Sequence, residues 1–157
     1  MKSIKLGNYE IKITEDVLVL LSKFKQIKRK QPESGGILLG QILNKTIYVT
    51  RISFPSKKDK SSRFSFWRNK DSAQIIIDYE FLNSNQKTIY IGEWHTHPEE
   101  LPNPSGTDVK MINDQYEKNK LNEPFLIQYI QGTKGFYLAL LEPDGINYVR
   151  VNNLEGP

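Results

Sequence analysis

The 157-residue sequence contains no cysteine and only two histidines. Without thiols there is no disulfide framework and no thiolate metal site. Any metal must be held by imidazole and carboxylate. No run approaches the roughly 20 apolar residues that cross a bilayer, and the opening Met1 to Glu10 lacks the apolar core of a signal peptide. These absences predict a cytoplasmic protein with no membrane partner. Charge is not extreme either. A formal net charge of +4 permits an acidic partner but does not argue for nucleic acid. No repeat, low-complexity segment or linker divides the chain. One domain with a real hydrophobic core is the economical expectation, spanning 1–151 and followed by a polar tail over 152–157.

Both histidines fall in Glu93-Trp94-His95-Thr96-His97-Pro98, with Ser105 and Asp108 downstream. Two imidazoles and a carboxylate are three zinc-type ligands, the set a catalytic zinc uses while its fourth position stays open. Residues 87–94 read as a buried strand. If 95–97 continue it, the period of two turns both rings, and Glu93, to one face. Pro98 ends the strand by removing a ladder donor. The stretch 105–120 reads as a helix, with Asp108 in its first turn. Ser105-Gly106-Thr107-Asp108 has the shape of a capping box with Asp where Glu is usual. Each half has an ordinary reading, as surface histidines at a strand end or as a cap that needs no metal. A capping Ser can still offer its hydroxyl to a substrate.

The rest of the chain alternates strand and helix patterns. Residues 3–13 alternate around Gly7-Asn8 as strand or hairpin. Thr14 is placed to cap a helix whose apolar face is Val17, Leu18, Leu20, Leu21, Phe24 and Ile27, ending in Lys28-Arg29-Lys30 and stopped by Pro32. That basic cluster ordinarily complements a helix C-terminus. Glu33, ordinarily a solvated acid, precedes Gly35-Gly36 and a central strand over 36–43 that is apolar on both faces. A strand over 46–54, with Ile47, Val49, Ile52 and Phe54 inward, leads to an exposed basic loop over 55–62. Arg63 to Arg68 is a short aromatic strand that packs Phe64 and Phe66 on the core or forms one wall of a groove. A helix over 71–82, strands over 124–131, 136–141 and 146–151, and turns between them complete an α/β pattern: one curved mixed sheet with helices on its faces.

Glu33, His95-Thr96-His97-Pro98 and Ser105-Gly106-Thr107-Asp108 together match every position of the JAMM signature. The chain therefore resembles the JAB/MPN metalloproteases over roughly 11–151. Glu-Ser-Gly-Gly-Ile-Leu-Leu-Gly, Arg-Phe-Ser-Phe and Gly-Glu-Trp-His-Thr-His-Pro make it most similar to the small bacterial JAMM peptidases of type II CBASS antiphage operons. The resemblance implies the MPN fold, with cytidine-deaminase-like layering. It implies one Zn²⁺ on His95, His97 and Asp108, with Glu33 as general base and Ser105 as oxyanion donor. The implied substrate is the C-terminal tail of a CD-NTase or ubiquitin-like protein conjugated to a target. Glu93 competes with Glu33 for the role of base or ligand, and the family pattern favours Glu33. Phe66, Trp67 and Trp94 are the expected substrate-binding side chains. Two other readings are a non-cleaving MPN module that binds a ubiquitin-like partner, and a zinc deaminase. The deaminase pattern requires cysteines that this chain lacks.

Overall fold

The computed structural model describes residues 1–118 and 123–153. Its elements in chain order are β1 (Lys2–Leu6), β2 (Tyr9–Ile13), α1 (Glu15–Lys23), β3 (Gly35–Leu43), β4 (Thr46–Ile52), β5 (Lys60–Ser62), β6 (Ser65–Trp67), α2 (Lys70–Asn83), β7 (Ile89–Thr96), α3 (Gly106–Lys118), β8 (Leu126–Gln131), β9 (Gly135–Glu142) and β10 (Gly145–Asn152). The unbroken apolar run of β3 is central because helices cover both of its faces. Leu38 joins the cluster under α1, with Val17 and Leu21. Ile37 and Leu39 pack against Ala73, Ile76 and Ile77 of α2. Such double burial is why β3 does not alternate in polarity.

The main sheet has eight strands in the order β1-β2-β4-β3-β7-β8-β9-β10. The pairs β2–β4 and β7–β8 are parallel, and the other neighbours antiparallel. The sheet curls until its ends meet. Asn8 Nδ2, in the β1–β2 turn, donates to Glu142 Oε1 at 3.0 Å. This is the curved mixed α/β architecture expected, and no helix among the described residues is long and apolar enough to cross a membrane.

Several local expectations need correction. Helix α1 stops at Lys23 and does not reach 28–30. The Gln31 side chain explains the early end: its Oε1 accepts the N–H groups of Ile27 and Lys28, and its Nε2 donates to Lys25 O. These bonds replace the helical ladder, so Pro32 terminates nothing, and Ile27 is 78% exposed. Strand β4 ends at Ile52, leaving Phe54 outside the alternation and exposed. Phe64 sits in the β5–β6 turn, 74% exposed, so only Phe66 reaches the interior. Val109 also faces out, while Ile112 carries the contact of α3 with Leu126 and Leu141. Strand β10 runs one residue into the expected tail. Residues 119–120 of the expected last helix and 154–157 of the tail lie outside the described residues.

Candidate metal centre

Antiparallel pairing of β3 with β7 sets Gly35 opposite His95 and Gly36 opposite Trp94. The pairing continues past β3: Thr96 N donates to Ser34 O, and Ser34 N to Thr96 Oγ1, both at 2.9 Å. Glu33, far from the histidines in sequence, is thereby carried to their side. On the other flank His97 N donates to Gln131 O at 2.9 Å, holding His97 in line just beyond β7. Helix α3 delivers Asp108 from its first turn. The capping box forms as its residues predict, with Ser105 N to Asp108 Oδ2 at 2.8 Å and Asp108 N to Ser105 Oγ at 3.1 Å. Ser105 itself is exposed.

Four buried side chains converge. The two Nε2 atoms of His95 and His97 lie 3.3 Å apart. Asp108 spans both, with Oδ1 3.2 Å from His95 Nε2 and Oδ2 2.9 Å from His97 Nε2. Glu33 Oε1 is 3.4 Å from His97 Nε2. Ligand atoms of Glu33, His95 and His97 all fall within 4.8 Å of one another, a buried Glu-His-His group able to hold a metal ion. Glu33 Oε2 is buried with no hydrogen-bond partner. A buried orphan carboxylate oxygen is costly, and a cation beside it removes that cost. The donors are borderline nitrogens and hard oxygens, which suits zinc among other divalent ions.

The electrostatics divide the two acids. Burial pushes Glu33 up to about 8; His97 pulls it down and Asp108 adds to the rise. Burial would also raise Asp108, but hydrogen bonds from His95 and His97 outweigh it and hold this carboxyl well below the usual range. Burial lowers His97, yet the hydrogen bond and charge of Asp108, with Glu33 and Glu99, raise it above an ordinary imidazole. Asp108 is the acid whose surroundings favour its anion.

Three supporting residues had no sequence signal strong enough to single them out. Glu99 Oε1 lies 3.0 Å from His97 Nδ1, so His97 turns its Nε2 to the cluster. A carboxylate two positions beyond a ligand-type histidine is the only hint of it. Thr96, between the histidines, donates to buried Gln26 Oε1 at 2.9 Å. Gln26 Nε2 in turn donates to Gln31 O and Arg63 O, each at 3.1 Å. Nothing local marks Gln26, because its partners are 5, 37 and 70 residues away.

A cavity of about 680 Å³ adjoins His95 between β6, α2 and α3. Trp67, half exposed, and Phe66 form part of its wall. The Phe66 ring lies over Gly35, where an added Cβ would come within 2.4 Å of it. Trp94 also borders this cavity, yet its ring is packed into the core. Strand alternation turns it away from His95, and it is 1% exposed in the core under α1, with Nε1 bonded to Ser53 O at 3.0 Å. Its expected contact with substrate is therefore corrected to a packing role. Glu93 shares the His95 face but is committed elsewhere, ion-paired with Arg68 and accepting from Tyr90 OH at 2.8 Å.

A buried His–His–carboxylate cluster at the end of a mixed sheet, with a second acid opposite, gives this α/β domain a site able to hold a metal ion. A family model described as prokaryotic homologues of the JAB domain matches residues 19–141, a span that contains all four side chains. The chain belongs to that family, and it is an enzyme of the hydrolase class. Among its relatives, a CD-NTase/cGAS isopeptidase of Vibrio cholerae is 32% identical over 80% of this chain and 78% of its own length. One from Pseudomonas aeruginosa is 33% identical over 72% and 71%. One from Escherichia coli is 36% identical, but the match spans 62% of this chain and 63% of that relative. In fold the chain is similar to a Desulfitobacterium hafniense protein solved in solution, with TM-score 0.60, 19% identity, and coverage of 88% and 89% of the two chains.

Proposed function

We propose that this protein is a zinc-dependent isopeptidase that cuts at the C-terminus of a conjugated CD-NTase or ubiquitin-like protein, releasing it from its target in the cytoplasm during bacterial antiphage defence. The observation that carries the reading is the convergence of Glu33 with His95, His97 and Asp108 in one buried cluster. Relatives named as CD-NTase/cGAS isopeptidases support the substrate class. The catalytic domain is taken as 1–151.

His95, His97 and ionised Asp108 would hold the ion. A Zn²⁺ held there would supply Lewis acidity, lowering the pKa of a water toward neutrality. Glu33, opposite the histidines, would be ionised by a cation beside it; it then accepts the proton of the attacking water and returns it to the leaving amine. The Ser105 Oγ already accepts Asp108 N–H, so its own proton is free to donate to the carbonyl oxygen as charge develops there. No side chain becomes covalently attached to the substrate. Phe66 and Trp67 line the approach to His95, where an extended tail would lie.

The test is cleavage of a reporter fused to the C-terminus of a CD-NTase or ubiquitin-like protein, with and without a zinc chelator. Cutting at the junction is expected, is lost on chelation, and falls by about 10²–10⁴ in Glu33→Gln, while zinc content by mass spectrometry stays whole. Zinc bound without cutting of any such fusion would replace this reading with a binding module.

A further inference from the structure

Seven of the chain's 22 lysines and arginines are brought beside the metal centre by contacts between two segments distant in sequence. Lys28, Arg29 and Lys30 are exposed in the turn after α1. Lys57 and Lys58, just before β5, and Lys60, its first residue, are exposed in the arm. Arg63 stitches the two segments: its guanidinium donates to the carbonyls of Lys28 and Arg29, and its own carbonyl accepts from Gln26. The stitched pair borders the site directly, because Glu33 N donates to Ser62 O at 2.7 Å.

These seven charges lack close carboxylate partners. Among the described residues none of them forms an ion pair. Asp59, the one acid in the arm, turns its carboxylate to the N–H groups of Ser56 and Asn69 and pairs with none of the seven, so it offsets only one of these charges. Glu33, the acid nearest the other segment, is buried in the cluster. Like charges held together repel and oppose the compact state, a cost an oppositely charged partner removes. Phe64 and Ile27 stand exposed among them, giving apolar area that a polypeptide can cover.

We propose that the turn after α1 and the β5–β6 arm form one cationic rim that binds an acidic stretch of the substrate protein outside the tail being cut. That the partner is a protein rests on the isopeptidase reading. The rim would draw substrate in through long-range attraction and hold it beside Glu33, raising encounter without touching the chemistry.

The test measures binding apart from cleavage. Fluorescence anisotropy follows a labelled peptide of alternating glutamate and serine, titrated with zinc-loaded protein at low and physiological ionic strength. Wild type is expected to bind, more weakly as salt rises. Lys28→Glu/Arg29→Glu/Lys30→Glu should bind at least about tenfold less well. Lys5→Glu/Lys45→Glu/Lys87→Glu, with the same change in net charge, should bind nearly as wild type. Single Lys30→Glu repeats the comparison if circular dichroism shows the triple variant unfolded. Equal loss in both triple variants, or no binding by wild type at low salt, overturns the rim. So does tighter binding of a single-stranded oligothymidylate of equal charge, which would make the rim a nucleic-acid surface. In the reporter assay the rim variant should raise KM and leave kcat unchanged. Failure of wild type to cut would sink the isopeptidase reading, while the peptide titration would still decide the rim.

Discussion

Replacing Gln26 by leucine tests whether one buried amide ties the arm to the metal centre. Leucine is close enough in size that cavity formation is minor, so the cost is that of stranded partners. Three groups lose their bond: Thr96 Oγ1, Gln31 O and Arg63 O. Thr96 has no exposed surface, so its hydroxyl proton has no water to turn to, at a cost of about 1–3 kcal/mol. Gln31 and Arg63 are half-buried; their carbonyls regain part of their hydration and add about 1 kcal/mol together. The sum, about 3 kcal/mol, lowers Tm by roughly 10 °C for a domain of this size. Chemical denaturation measures the loss. Hydrogen exchange at the Glu33 amide, bonded to Ser62 O, reports whether the arm has come loose, and turnover should fall with it. Adding Thr96→Val to Gln26→Leu removes the stranded hydroxyl, so the double variant should be more stable than the two single losses sum to, by about 1–2 kcal/mol. A single-variant loss under about 1 kcal/mol, or strict additivity, would refute the argument.

Three further outcomes are expected. Trp94→Ala should cost about 3–5 kcal/mol in a denaturant titration, as for a fully packed aromatic; unchanged stability with a raised KM would restore Trp94 to the substrate surface. Ser105→Ala should lose about 1 kcal/mol through its cap and slow turnover by about 10²–10³; stability loss with unchanged turnover would leave Ser105 as a cap alone. Gly35→Ala brings a methyl within 2.7 Å of Trp94 O as well as onto the Phe66 ring. It should lower kcat/KM through displacement of Phe66, and a crystal structure with Phe66 unmoved and full activity would contradict this.

The metal-type residues were legible because their information is local. Two histidines two apart on a strand end share a face by the pleat alone, and a Ser-x-x-Asp at a helix start forms its cap whatever surrounds it. The apolar, non-alternating run of β3 likewise announces a strand buried on both sides. Absence of cysteine left imidazole and carboxylate as the only ligand chemistry. What sequence order could not contain is which distant segment lies beside which. Glu33 reads as a solvated acid until β3 pairs with β7 and brings it to His97. Gln26 and Glu99 acquire their roles only through partners supplied by the fold. Trp94 adjoins His95 in sequence, but strand alternation places the two on opposite faces and sends its ring into the core. Lys28 to Lys30 look like the end of a helix until Gln31 diverts the backbone and Arg63 joins them to the arm. Local spacing is set by covalent geometry and is readable from residues in order. Convergence is set by strand pairing and side-chain hydrogen bonding across the whole chain, and exists only once it has folded.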